Sequence, residues 1–277
     1  MIRALTLAAI LAAGAAQAQE RVVSIGGSVT EIVHALGQGD RLIARDTTST
    51  YPEGVTALPD VGYMRALSPE GVLSTSPDLV LAEEGAGPPE ALEVLKGASI
   101  PVVMVPNQPS AEGVLAKVRL IGEALDAEDE AEALAITIGE SLDNLQARIA
   151  GLPQEGRKRV LFVLSTQGGR ILASGTGTSA DAIIAMAGGV NAVTGFPGYK
   201  PLTDEAVIEA APDAILMMIR GGDHAADDAE LLAMPAVSVT PAARTGTVIR
   251  MDGLYLLGFG PRTADAASDL ASALYGE

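Results

Sequence analysis

Residues 66–81, ALSPEGVLSTSPDLVL, align without gaps to residues 201–216, PLTDEAVIEAAPDAIL. Leu67, Glu70, Val72, Pro77, Asp78 and Leu81 return as Leu202, Glu205, Val207, Pro212, Asp213 and Leu216. In each copy a Ser or Thr stands at a helix N-cap position, with a glutamate at the second helical position, where the helix dipole favours it. A Pro-Asp turn then leads into an apolar strand. A Gly-Tyr pair precedes each copy, Gly62-Tyr63 and Gly198-Tyr199, with one residue of slippage. A weaker match pairs GGSVTEIVHALG (26–37) with GTSADAIIAMAG (177–188). These matches predict two similarly built lobes.

Short β-like runs alternate with helix-like segments along the chain. RVVSI (21–25), RLIAR (41–45), DLVLA (78–82), PVVMV (101–105), RVLFVL (159–164), AILMMI (214–219) and TVIRM (247–251) are separated by segments rich in Ala, Leu and Glu. The alternation predicts an α/β fold with mostly parallel central sheets. Between the two sets lies DAEDEAEALAITIGESLDNLQARIAGLP, whose Leu134, Ile138, Leu142, Leu145 and Ile149 form one helical stripe. A helix of about 25 residues at 1.5 Å per residue runs the length of a domain. The expected organisation is an N-terminal lobe over 19–123, a bridging helix over 124–153 and a C-terminal lobe over 154–277. Facing α/β lobes form a cleft, and ligands of open α/β sheets bind at the carboxyl ends of the strands. Tyr63 and Tyr199 are expected on related loops of opposite cleft walls.

The first eighteen residues, MIRALTLAAILAAGAAQA, read as a secretory signal. Arg3 supplies the positive start, an apolar run follows, and Ala16-Gln17-Ala18 is the cleavage site. No other segment is apolar for long enough to span a bilayer. Cysteine is absent, which excludes thiolate chemistry, zinc-thiolate sites and a cysteine-borne lipid anchor. The expectation is a periplasmic protein, soluble and monomeric, without membrane insertion. The formal net charge is −17. Such acidity argues against nucleic acid and anionic lipid and suits a partner that presents basic residues.

Most catalytic signatures are missing. GGSVT lacks the second glycine of a nucleophile elbow. SGTGTS (174–179) lacks the Lys of a phosphate-binding loop and reads as a helix-initiating turn. The chain has two histidines, too few for a dedicated zinc site. His34 falls in a helical segment and is read as packed. His224, in GGDHAADD, leaves the carboxyl end of a strand, where it either faces solvent or, with Arg220, approaches the cleft.

Tyr63 in DVGYMRALSPEG fits a packed turn residue, and it also fits a metal ligand. A tyrosinate oxygen is a hard anionic donor suited to ferric iron and is a known axial ligand of haem. Its phenol, with a reference pKa of about 10, must ionise to bind in this way. A guanidinium two residues on, Arg65, would favour the anion.

Over essentially the whole mature chain the sequence resembles the periplasmic haem-binding proteins of bacterial haem ABC importers. These belong to the two-lobed, helix-bridged class of substrate-binding proteins that also serves cobalamin and ferric siderophores. RVVSIGGSVTEIVHALG, LPDVGYMRALSPEGVLSTSPDLVLAEE, GYKPLTDEAVIEAAPDAIL and DGLYLLGFGPRTADA carry the resemblance, and GYMRALSPEG is its haem-specific part. The resemblance implies a non-enzymatic carrier of ferric protoporphyrin IX, with Tyr63 as axial ligand and Arg65 supporting the phenolate. It also implies that Glu70 and Glu205 dock onto arginines of an inner-membrane ABC permease dimer. One departure stands out. Where some members carry a histidine ligand on the second lobe, STQGGR offers Gln167. The iron is then five-coordinate through Tyr63, or a residue such as His224 approaches its far face. Lys200, Arg170 and Arg220 are candidates for the propionates from their loop positions. The alternative ligand on the same scaffold is cobalamin or a ferric siderophore.

Overall fold

The computed structural model describes residues 21–152, 155–219 and 227–276. The expected signal segment lies outside them. The first lobe runs β1 (Val22–Ile25), α1 (Gly27–Ala35), β2 (Leu42–Arg45), α2 (Pro69–Ser74), β3 (Leu79–Glu83), α3 (Pro89–Gly97), β4 (Val102–Val105) and α4 (Ala111–Ala124). Its strands are parallel in the order β2-β1-β3-β4. The central strands β1 and β3 are buried along their whole length, as strands covered on both faces must be.

A long helix follows, α5 (Glu128–Ala150), with 23 residues and a length of about 35 Å at 1.5 Å per residue. Glu128, Asp129 and Glu130 occupy its first turn, where the helix dipole favours carboxylates. Ile138, Leu142, Leu145 and Ile149 of the expected stripe are buried, and Leu134 packs partly buried beside them.

The second lobe runs β5 (Arg159–Ser165), β6 (Leu172–Ser174), α6 (Ser179–Met186), β7 (Val190–Asn191), β8 (Tyr199–Pro201), α7 (Asp204–Ala210) and β9 (Ala214–Ile219). It ends with α8 (Asp228–Ala233), α9 (Pro235–Ser238), α10 (Pro241–Thr245), β10 (Val248–Asp252), α11 (Gly253–Leu257) and α12 (Thr263–Tyr275). β10, β9 and β5 are parallel, and β7 adds in parallel to β5. β6 and β8 extend the sheet antiparallel, in the order β10-β9-β5-β6-β8. These two strands hold three residues each, too few to leave an apolar run in the sequence.

The internal repeat is a structural repeat. Ser68 and Thr203 cap α2 and α7 by accepting from the N–H of Gly71 and Ala206. Val72 and Val207 are buried beneath their helices. Ser76 and Ala211, at equivalent positions, both take positive φ, 51° and 41°. The repeat also reaches beyond its aligned residues. The backbone N–H of Arg21 donates to Asp78 Oδ2 at 3.0 Å, and that of Arg159 to Asp213 Oδ2 at 2.9 Å. Each arginine then uses its guanidinium on the carbonyls at the end of the helix that leads into that aspartate, α2 or α7. Arg21 Nε reaches Ser76 O and Arg159 Nε reaches Ala210 O, both at 2.9 Å.

Each lobe has its own outer core, under α2 and α3 in the first and under α7 to α10 in the second. A third core is continuous between the lobes. It joins α1 and α4 of the first lobe, the inner stripe of α5, and α6, β5, β9 and α12 of the second. Ile138, 4% exposed at the centre of that stripe, tests the coupling. Ile138→Ala should cost about 2–5 kcal/mol, as for other large-to-small core truncations. Urea titration read by hydrogen exchange should show peptides of both lobes losing protection at one shared, lowered midpoint.

Candidate ligand cleft between the lobes

The first-lobe wall is made of turns that leave the carboxyl ends of parallel strands. β1 runs into α1 through Gly26, at φ 110°, where a Cβ would lie 2.7 Å from the Cβ of Glu83. Glycine is required there for both conformation and space. The turn after β2 is fastened by Asp46, which is fully buried. Its carboxylate accepts from the N–H of Gly26 and of Thr48 at 3.0 Å and from the hydroxyls of Thr48 and Ser49 at 2.8 Å. Four hydrogen-bond donors satisfy this buried carboxylate.

β3 ends at Glu83. Its Oε1 accepts from Lys117 Nζ at 2.7 Å and from Ser28 Oγ at 2.9 Å, and Lys117 also donates to Ser28 Oγ at 2.9 Å. Lys117 is 1% exposed, so the charge of Glu83 at the cleft floor is compensated from below. The cleft itself has a volume of about 480 Å³. Ser28, Thr48, Glu83 and Asn107 line its first-lobe side, and Ser179, Met218, Asp252, Leu254 and Leu257 line the second. Ser28 and Ser179 are equivalent residues of the weaker repeat.

Tyr63 and Arg65 stand on the first wall with Met64 between them. Met64 is 8% exposed and packs into the outer core, so its neighbours are displayed rather than buried. Tyr63 is 45% exposed. The turn is held by Gly62, at φ 98°, whose N–H donates to Asp60 Oδ1 and whose carbonyl accepts from Thr47. The N–H of Gly87 donates to the carbonyl of Met64. Among the described residues, Arg65 has no ion pair.

Tyr199 stands on the second wall. It lies in β8 rather than on a loop like that of Tyr63, so the related placement expected of the two tyrosines holds only for the glycine turns before them. Gly198, at φ 75°, mirrors Gly62, and its carbonyl accepts from Gly175. The Tyr199 ring meets Phe162 edge-on at 6.3 Å between centroids. Burial raises its phenol above the ordinary value, opposed by a hydrogen bond with Thr178, the charge of Arg65 and a hydrogen bond with Ser174. Arg65 and Tyr199 line the same cleft from opposite lobes. Burial holds Tyr199 as a neutral phenol.

The remaining sequence candidates are not brought together here. Lys200 follows Tyr199 in the strand, and successive side chains point to opposite faces. Its Nζ sits 5.3 Å from the Phe196 ring centroid, away from the residues that line the cleft. Arg170 is exposed just after the turn formed by residues 167–169 and is not among the lining residues, and the side chain of Gln167 lies outside what the structure describes. Arg220 and His224 lie outside the described residues. His34 packs over the turn at Gly39, outside the cleft, with its pKa lowered by burial against an opposing pull from Asp40. Among the described residues no group of three or more His, Cys, Asp or Glu side chains could hold a metal ion, and no helix is long and apolar enough to cross a membrane.

Glu70 and Glu205 project from the starts of α2 and α7, fully exposed. Each carboxyl lies below the ordinary range, chiefly through the hydrogen bond from its own backbone N–H and then through the capping Ser68 or Thr203 hydroxyl. Sequence reasoning missed the Lys117–Glu83 pair, because a lysine in an amphipathic helix gives no sign of being buried. It also missed Arg262, whose partner Glu31 lies 231 residues away.

Two α/β lobes, one bridging helix and one interlobe cleft define a substrate-binding protein. The chain belongs to the periplasmic binding protein family, whose model matches residues 22–254. It is 30% identical over 92% of its length to a Bacillus subtilis (strain 168) ABC transporter substrate-binding lipoprotein, YvrC, and covers 80% of that protein. Among solved structures it is similar to the periplasmic heme-binding protein BhuT in complex with two hemes, at 42% identity and TM-score 0.88, over 92% of this chain and 97% of that one. The heme-binding protein RhuT from Roseiflexus sp. RS-1 matches at 37% identity and TM-score 0.88, over 93% and 98%. A periplasmic heme-binding protein from Pseudomonas aeruginosa matches at 35% and TM-score 0.85, over 93% of each chain. A vitamin B12-binding protein from Yersinia pestis (strain Pestoides F) is 40% identical over a shorter stretch, 31% of each chain. The family is periplasmic and non-catalytic, and its members serve ABC transporters.

The buried pair at the cleft floor yields a stability test. Lys117→Met leaves Glu83 without its cation and should destabilise by about 3–5 kcal/mol. Lys117→Met combined with Glu83→Leu should recover most of that loss, as read from urea midpoints of the two variants.

Proposed function

We propose that this protein captures ferric haem in the interlobe cleft through Tyr63 and delivers it to an inner-membrane ABC permease. The observation that supports this reading is the display of Tyr63 and Arg65 on one cleft wall, about a buried Met64, facing Tyr199. A phenolate suits ferric iron. An unpaired guanidinium two residues away lowers the cost of forming that phenolate by Coulomb attraction. Tyr199, held neutral, supplies an aromatic wall on the far side rather than a second anion. Names of relatives more than 30% identical over nearly the whole chain carry the same ligand.

In this reading the iron is five-coordinate through Tyr63, or a residue such as His224, which lies outside the described residues, approaches its far face. Arg65 is the described cation best placed for a propionate, ahead of Lys200 and Arg170. Glu70 and Glu205 serve as two equivalent acidic contacts for basic residues of a two-fold permease. Their depressed pKa values keep both carboxylates ionised to a lower pH than an ordinary glutamate. The protein acts as a monomer. A second reading, cobalamin on the same scaffold, is favoured by the partial match to vitamin B12-binding proteins.

Absorption titration with hemin tests the first reading. The wild type should give a saturable high-spin tyrosinate spectrum, and Tyr63→Phe should lose it and bind at least tenfold more weakly, about 1.4 kcal/mol. Absence of hemin binding, with saturable cobalamin binding, would favour the second reading. For docking, Glu70→Lys combined with Glu205→Lys should abolish stimulation of the reconstituted permease ATPase while the hemin spectrum stays unchanged. Each single variant should retain part of the stimulation.

A further inference from the structure

Arg262 lies just past the second cleft wall, and it makes a bidentate polar contact between the lobes. Its Nε and Nη2 each donate at 2.9 Å to the two oxygens of Glu31, a bidentate pair. Glu31 is 5% exposed and sits on α1, one turn beyond the Gly27-Ser28 start that forms the first wall. The guanidinium also stacks 3.5 Å from the ring centroid of Tyr51 in the first lobe and 5.0 Å from that of Tyr255 in the second. Tyr255 is in turn tied to α12 by its hydroxyl, which donates to Asp269 Oδ2 at 2.8 Å.

The backbones behind this contact approach as closely as side chains allow. A Cβ on Gly27 would lie 2.5 Å from Leu254 Cδ1 and 2.6 Å from the carbonyl of Thr48. Gly260 sits against Glu31 and Ser28. The helix that carries one wall is therefore clamped to the segment that carries the other, directly behind the cleft. We infer that Arg262 is a positioning residue that fixes the spacing of the two cleft walls, through Glu31 and Tyr51, before any ligand arrives.

A planar five-donor fork fixes orientation as well as distance, which a lysine at the same place cannot do. Separation of the lobes would break both hydrogen bonds of the bidentate pair and the stacking on Tyr51 together. The clamp acts on the cleft that the haem reading uses and rests on that reading only for its effect on ligand release.

The test has an arm without ligand. The chain lacks cysteine, so Ser74→Cys in the first lobe and Ser238→Cys in the second accept spin labels selectively. Pulsed dipolar spectroscopy of the apo protein should give one narrow distance distribution for the wild type. Arg262→Gln should broaden it, Arg262→Lys should broaden it less, and Tyr51→Leu, which keeps the ion pair, should broaden it least. If all four distributions coincide, the clamp does not set the spacing and the inference fails. If Arg262→Gln does not fold, Arg262→Lys and Tyr51→Leu decide by the same criterion.

In the second arm, hemin transfer to apomyoglobin should run about tenfold faster from Arg262→Gln, a change of about 1.4 kcal/mol. Its absorption maxima should stay at the wild-type positions, because Tyr63 is untouched. Shifted maxima would mean that Arg262 acts on the iron site itself and would overturn the positioning role. If hemin does not bind any of the proteins, the haem reading fails and the distance arm decides the clamp alone.

Discussion

The apolar stripe of α5 is the constraint on which the rest of the molecule depends. Ile138, Leu142, Leu145 and Ile149 are inner-face residues of one helix, and they pack in the same continuous core as α1 and α4 of the first lobe and α6 and α12 of the second. Rotation of one lobe about a hinge would separate some of these surfaces and expose them to water, at roughly 25 cal/mol per Å² of apolar area. A two-lobed protein joined by extended linkers has no such penalty. Here the bridge is itself a core element, so the cleft is a largely preformed slot.

The repeat shared by the lobes extends from the helix caps to the arginines that open the first strand of each half. Arg21 with Asp78 and Arg159 with Asp213 make the same backbone-to-carboxylate contact at nearly the same distance. Both then secure the end of the helix that carries an exposed glutamate, Glu70 or Glu205. The symmetry is broken where the ligand walls differ. The first lobe presents Tyr63 from a turn, and the second presents Tyr199 from a short antiparallel strand backed by Phe162. Equivalent outer faces with unequal inner faces are what a carrier requires if it meets a symmetric partner outside and an asymmetric ligand within.

What was legible in the sequence follows from the range of the interaction concerned. Short continuous apolar runs and the stripe of α5 are local, so the parallel strands and the long helix could be read directly. N-caps and the glutamates behind them are local too, and the repeat marked them twice. β6 and β8 were not legible, because three residues cannot establish a period and their pairing depends on a neighbour already in place. The ion pairs at the cleft floor and behind the cleft were hidden for another reason. Lys117 and Glu83 are 34 residues apart and Arg262 and Glu31 are 231 apart, and each residue alone looks like a solvated surface charge. Lys200 shows the converse. Adjacent to Tyr199 in sequence, it is sent to the opposite face of β8 by the strand's alternation.

The acidity of the chain and the anionic character of the proposed ligand are reconciled within the cleft. A net charge of −17 repels carboxylates at long range, but exposed charges farther away than about 8 Å are largely screened at physiological ionic strength. Near the walls, the anions are individually answered. Glu83 is paired with Lys117, Asp46 is satisfied by four donors, and Asp252 accepts from the N–H of Tyr255 at the start of α11. Glu31 is paired with Arg262, which spends that cation on holding the lobes. Among the described lining residues this leaves Arg65 as the cation without an internal partner, beside Tyr63 and within electrostatic reach of Tyr199. The local field that a phenolate or a propionate would meet is therefore set by one side chain. The unanswered acidity lies outside, on exposed surfaces that include Glu70 and Glu205.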